Sequence, residues 1–466
     1  MRCNSLTSGA AAAAALSLTL SACSGGATTP GGGAPLPLTL TPPSVAQAPS
    51  QRERRRASSG KIQHVVIIVQ ENRSFNDLFY GFPGAKTQDY GYDTSGNKIT
   101  LNQIPLETSW DLDHSSNSFF EACNGTGSIP GTNCRMNGFN QEWTGCYGSS
   151  CPWKNPQYAY VPHTETKPYF DIGKQYVLAD EMYASNFDAS SFISHQYIIA
   201  GQAQASVNYP WGAWGCPGGS GDQIAEVGPD RQIPYAYQQV CYSDTTLGEE
   251  ADNAGISWAF YTGPVNGDGG IWSAYQANKY VYFGSDWKND VITPQTNFFN
   301  DVSNGNLRQI SWVTPTCANS DHAGCGSNTG PSWVASLVNA IGESKYWDST
   351  AIFIFWDDYG GWYDAQPPAY LDYDGLGLRI PMLIVSAYAK KHHVSHVHYE
   401  HGSILRFVED QFGLPRLSAS DTRATSPEKD AFDFNKPPRP FKMIPSVYGK
   451  QYFMHQPIDR RMPDWN

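Results

Sequence analysis

A chain of 466 residues, 40% hydrophobic and 16% charged, can bury a large core, and 14 Trp, 27 Tyr and 21 Phe exclude a disordered body. The formal charge of -12 argues against a nucleic-acid partner, because phosphate backbones are bound by clustered Lys and Arg. The one basic cluster, Arg52, Arg54, Arg55 and Arg56, falls in a stretch that reads as linker.

In chain order, Arg2 precedes an Ala/Leu-rich run from 10 to 20, too short for a permanent bilayer span. It ends in Leu20-Ser21-Ala22-Cys23, which looks like a bacterial lipoprotein cleavage site. Residues 1–22 then form a lipoprotein-type signal peptide, and the membrane is met through a lipid on Cys23 rather than a transmembrane helix. The plainer reading is a secretory peptide cut nearby. Both export the protein, either to the periplasmic side of a bacterial membrane or as a secreted chain. Residues 23–60, rich in Gly, Pro and Ser, read as a flexible tether, and 61–466 as a single domain with loop-rich insertions at about 86–165 and 205–250. Eight cysteines remain, and neighbours in sequence could pair: Cys123 with Cys134, Cys146 with Cys151, Cys216 with Cys241, Cys317 with Cys325. No CxxC pair supports a structural zinc site instead.

Folded sequence begins with the β-branched run His64-Val65-Val66-Ile67-Ile68-Val69, the pattern of a buried parallel strand, followed by Gln70-Glu71-Asn72-Arg73-Ser74. A helix is predicted from near Ser191 to Ala200, closed near Gly201. Strands are predicted at 256–261, 310–313, 351–356 and 380–385, and helices at 332–341 and 402–412, the last closed by Gly413 and Pro415. Alternating buried strands and helices imply an α/β fold whose mostly parallel central sheet is covered by helices on both faces.

In such sheets ligands bind beyond the carboxyl ends of the strands. Two of those ends carry acids: Glu71 and Asn72 after one strand, Asp357 and Asp358 after another. Carboxylates and an amide oxygen are hard donors suited to one divalent metal ion. Taken singly, Asp-Asp before Gly-Gly is more often a turn, and Glu-Asn after a strand a solvated cap. Ser191 stands where a helix N-terminus would stabilise an alkoxide or a bound phosphate; the plain alternative is an N-cap, and Ser190 could serve either purpose. His114, His322 and His401 lie near polar turns, where an imidazole could donate a proton to a leaving oxygen, although singly each is more often structural. His392, His393, His396 and His398 read as a surface loop.

The ordered set of motifs resembles a known family. It comprises the strand with Glu71-Asn72-Arg73-Ser74-Phe75, the segment from Pro168 to Asp180, the 188–202 region, the Asn319 to His322 turn and Trp356-Asp357-Asp358-Tyr359-Gly360-Gly361. Last come Arg379-Ile380-Pro381 and Tyr399-Glu400-His401-Gly402. Together these resemble the bacterial phosphoesterase family of phospholipases C and acid phosphatases. The resemblance spans about 61–417 and implies an alkaline-phosphatase-like fold. It also implies a metal held by Glu71, Asn72, Ser191, Asp357 and Asp358, with Ser191 as nucleophile, His322 and His114 near the phosphate and His401 behind them. The implied reaction is hydrolysis of a phospholipid or small phosphomonoester through a phosphoserine. Two departures stand out: Tyr359 and Ala365 replace histidines common in relatives, and Ser191-Phe192-Ile193-Ser194 replaces a Thr-x-Pro-Asn string. The alternative reading, from abundant Trp, Tyr and acids, is a surface glycan-binding protein or glycosidase with two catalytic carboxylates and no metal.

Overall fold

The computed structural model describes residues 60–146, 148–212, 214–264 and 270–461. The signal peptide, Cys23 and nearly all of the tether, with its arginines, lie outside the described residues.

Nine strands form the central sheet: His64–Gln70 (β1), Val177–Tyr183 (β2), Trp258–Tyr261 (β3), Val291–Ile292 (β4), Ile310–Val313 (β5), Thr350–Trp356 (β6), Arg379–Ser386 (β7), His393–Ser395 (β8) and Tyr399–Glu400 (β9). The spatial order is β4-β3-β5-β1-β6-β7-β2-β8, with β9 also on β2. Every pairing is parallel except those of β7, which runs antiparallel to both β6 and β2. β2, β6 and β7 are buried at every position and β1 at all but its first, so side chains of both pleat faces are covered. That is why β1, β6 and β7 read as nearly continuous apolar runs rather than alternating ones, whereas β2 carries Asp180 and Glu181 at its centre.

The helices that bear on the site are Phe75–Phe79 (α1), Lys167–Gln175 (α2), Ser191–Ala200 (α3), Gly330–Gly342 (α4) and His401–Phe412 (α5). All ten residues of α3 are buried, polar ones included, as expected of a helix enclosed on every side. α5 packs against α3 and α4 against α2.

The four disulfides pair as neighbours: Cys123–Cys134, Cys146–Cys151, Cys216–Cys241 and Cys317–Cys325. The stretch at 86–165 is mostly irregular but carries a hairpin, Tyr90–Tyr92 with Lys98–Thr100, and a helix, Ser116–Cys123. That at 205–250 contains a small antiparallel sheet of Ser206–Val207, Gln223–Glu226 and Tyr237–Gln239. The histidine-rich stretch departs from the expected loop. Its centre is β8, which extends the sheet edge on β2, with His393 bonded to Asp430 at 3.2 Å and His396 to Asp180 at 2.8 Å. The stretch nevertheless stays at the surface: His392, His396 and His398 are exposed and His393 is half-buried. Among the described residues no helix is long and apolar enough to cross a membrane.

Candidate active site

Gln70 and Trp356 are register partners at the carboxyl ends of β1 and β6, and the Asp357 N–H donates to Gln70 O at 3.0 Å. The two strands therefore deliver Glu71 and Asp357 at one level. Asn72 follows in the left-handed region (φ 60°), which Asn tolerates better than most residues, and its N–H donates to Asp357 Oδ1 at 3.2 Å. Gly360 closes the turn after Asp358 at φ 60°; a Cβ there would stand 2.1 Å from Asn72 O, so glycine is required.

The Asn72 amide is the hub. Its Nδ2 lies 2.9 Å from His114 Nε2, 3.1 Å from Ser191 Oγ and 3.0 Å from Asp358 Oδ2. Ser191 Oγ is 3.4 Å from Asp358 Oδ2. Ser191 is the first residue of α3, and Ser190 is its N-cap. The Ser190 hydroxyl turns away to donate to Asp188 Oδ1 at 2.9 Å. Only the second of the two adjacent serines faces the acids.

One helical turn on, His195 presents Nε2 at 3.0 Å from Glu71 Oε1 and 3.7 Å from Asp357 Oδ2. Ligand atoms of Glu71, His195 and Asp357 all lie within 4.8 Å of one another, and all three residues are buried. Asn72 Oδ1 and Asp357 Oδ2 are shielded from solvent without a hydrogen-bond partner among the described residues. Glu71, Asp357 and Asp358 are each fully buried, an arrangement that is costly unless cationic charge offsets it. Oxygen donors plus one imidazole suit a divalent cation. The donor set thus fits a metal.

All five residues expected around the metal converge, while His195 joins Glu71 and Asp357 in the tightest group. Sequence reading passed over His195 as part of a helix. Its spacing of four from Ser191, which places both on one helix face, was the available signal.

The histidines take different places. His114 Nδ1 bonds Leu112 O at 2.7 Å, which aims Nε2 at Asn72. The His322 ring sits edge-on to that of His114, 5.8 Å between centroids, on the loop closed by Cys317–Cys325. His401 opens α5 and lies behind the acids, where its Nδ1 faces the Ser185 N–H at 3.5 Å. Burial pushes its pKa down to about 4 against the opposing pull of Asp357, so it is a neutral imidazole at pH 7. Of the departing positions, Tyr359 is buried and donates its hydroxyl to Glu142 Oε1 at 2.9 Å.

Two further residues of the first motif brace the loops. Gln70 Nε2 donates to Asn319 O and its Oε1 accepts from the Asp321 N–H, each at 3.0 Å. The buried Arg73 donates to Asp321 O at 2.8 Å, Leu106 O at 2.9 Å and Asp77 Oδ1 at 3.1 Å, and stacks on Trp362. Burial nevertheless raises the Asp77 pKa to about 6, outweighing the attraction of Arg73.

The profile of the Phosphoesterase family matches residues 62–415. Phospholipase C B of Mycobacterium tuberculosis is 25% identical over 439 residues, covering 82% of this chain and 79% of its own length. The non-hemolytic phospholipase C of Pseudomonas aeruginosa is 25% identical over 452 residues, covering 84% and 60%. Among solved structures, a protein of the alkaline phosphatase superfamily from Vibrio parahaemolyticus aligns with a TM-score of 0.36 and 10% identity, covering 78% of this chain and 69% of that one. Because the family profile spans most of the sequence and the phospholipase C relatives align over most of it too, the chain belongs to the Phosphoesterase family, as a hydrolase acting on phosphoric ester bonds.

Proposed function

We propose that this protein is an exported, metal-dependent phospholipase C that cleaves phospholipid diesters through Ser191. The observation that carries the reading is the position of Ser191 Oγ, 3.1 Å from Asn72 Nδ2 and 3.4 Å from Asp358 Oδ2. The phospholipase C relatives support a lipid diester, and four disulfides support export to an oxidising compartment, with a lipid on Cys23 as the anchor.

A divalent cation held by Glu71, His195 and Asp357, with Asn72, Ser191 and Asp358 alongside, would offset carboxylate charge, polarise a phosphoryl oxygen and favour the serine alkoxide. Asn72 orients the Ser191 hydroxyl, and Asp358 Oδ2 is placed to take its proton as Oγ attacks phosphorus in line. The positive end of the α3 dipole stabilises charge on the phosphoryl group. His322, or His114 beside it, protonates the departing alcohol. Water then cleaves the phosphoserine and frees the phosphorylated headgroup.

Ser191→Ala should lower kcat on the order of a thousandfold or more. Phosphatidylcholine and a nitrophenyl phosphate are assayed side by side, with and without chelator. Hydrolysis of only the nitrophenyl ester would make the protein an acid phosphatase instead. Near-normal turnover by Ser191→Ala would remove the serine from its role. Membership of the Phosphoesterase family leaves the glycan-binding reading without support.

A further inference from the structure

The end of the sheet opposite the active site carries a second feature. β7 is antiparallel, so its first residue, Arg379, lies at the active-site end and its last, Ser386, beside Ala351 at the far end. The segment that follows β7 lines a cavity of about 530 Å³ together with residues 433–440. Four cations face it: Lys390, Lys391, Lys436 and Arg439. One acid opposes them at close range, Asp433 against Lys436 at 3.0 Å, and His393, also in the wall, meets Asp430 at 3.2 Å. Arg439 lies over the Tyr176 ring and donates through Nη1 to Gln175 O at 3.2 Å. Its Nε and Nη2 are shielded from solvent, so the accessible positive charge of the cavity comes from the lysines.

The rim is also where the chain enters the fold. Lys61 donates from Nζ to Phe434 O and sits 5.1 Å from the centre of the Tyr388 ring, which belongs to the cavity wall. In sequence, the four arginines at 52, 54, 55 and 56 come within nine residues before it. Lys61, Lys390, Lys391 and Lys436 thus gather at one end of the sheet in a chain of net charge -12, roughly 25 Å along β7 from the active site.

We propose that this cavity and its rim form a docking surface for the anionic headgroups of a phospholipid membrane. Clustered Lys side chains are drawn to the phosphates of an anionic leaflet. The active-site end of the sheet then points away from the surface that holds the protein. The inference does not depend on the reaction proposed above.

The test uses the full chain with Cys23→Ser, so that no lipid anchor contributes, and vesicles of phosphatidylcholine with or without phosphatidylglycerol, read by flotation in the cold. Binding is expected only to the phosphatidylglycerol vesicles and should fall steeply as salt is raised. Each basic side chain near an anionic leaflet contributes about fivefold, so Lys390→Gln, Lys391→Gln and Lys436→Gln together should weaken binding about a hundredfold. Hydrolysis of a soluble nitrophenyl ester by the triple variant should match the parent, which shows that it is folded. Equal binding to both vesicle types, or undiminished binding by the triple variant, would overturn the proposal. So would loss of inorganic phosphate binding in the triple variant without loss of vesicle binding, which would make the cavity a site for a free anion.

Discussion

Replacing Gly360 by alanine probes the junction on which the site depends. The residue sits at φ 60°, and an added Cβ would lie 2.1 Å from Asn72 O, 2.6 Å from its carbonyl carbon and 2.9 Å from its Cβ. Carbon atoms of this kind do not approach below 3.0 Å, so the Asn72 peptide must retreat by about 1 Å. The left-handed backbone costs about 1–2 kcal/mol for a residue with a side chain, and the overlap about 1–3 kcal/mol more. The sum is about 2–5 kcal/mol of stability. Because Asn72 holds Ser191, Asp358 and His114 through one amide nitrogen, a 1 Å displacement should also cost about a hundredfold in kcat/KM. Gly96→Ala is the control: φ is 80° there as well, but nothing lies within 4 Å of the added carbon. It should lose only the backbone portion and keep its kcat/KM. Urea unfolding with steady-state kinetics on both variants gives the answer. If Gly360→Ala matched Gly96→Ala in stability and in kcat/KM, position 360 would not press on Asn72 and the argument would fail.

His195→Ala should lower the metal content of the purified protein, measured by elemental analysis, and reduce kcat/KM by about a hundredfold or more, because Glu71 and Asp357 lose the imidazole between them. Retained metal at parental affinity would exclude His195 as a ligand. Replacing both Cys317 and Cys325 by serine opens a loop of eight residues' separation and should cost about 2–3 kcal/mol in denaturant unfolding. It should also lower kcat, since His322 rides on that loop. Asp77 gives a pH signature. Its native pKa of about 6 exceeds the 3.8 of the unfolded chain, so the native state keeps its proton longer and stability falls as pH rises between those values. The loss amounts to roughly 3 kcal/mol by pH 7, and Asp77→Asn should flatten the profile; superimposable profiles for parent and variant would refute the assignment.

The sequence by itself determined the α/β class and the two strands that lead into Glu71 and Asp357, because each rests on local information, apolar runs followed by adjacent polar residues; short cysteine spacings left the disulfide pairs open, and the structure decided them. The mostly polar run from Gln70 to Ser74 marked the site in the same way, as a string of buried polar groups at a strand end. Tertiary structure decided the rest. The parallel register of β1 on β6 set the two acid pairs level, although 286 positions separate Asn72 from Asp358. The choice between Ser190 and Ser191 followed from the N-cap, which turned one hydroxyl to Asp188 and the other to Asn72. His195, Gln70 and Arg73 found their roles in partners on distant segments, Glu71, Asn319 and Asp321. No local pattern encodes such pairings, because hydrogen bonds and charge compensation are settled only when the strands and helices bring their ends together.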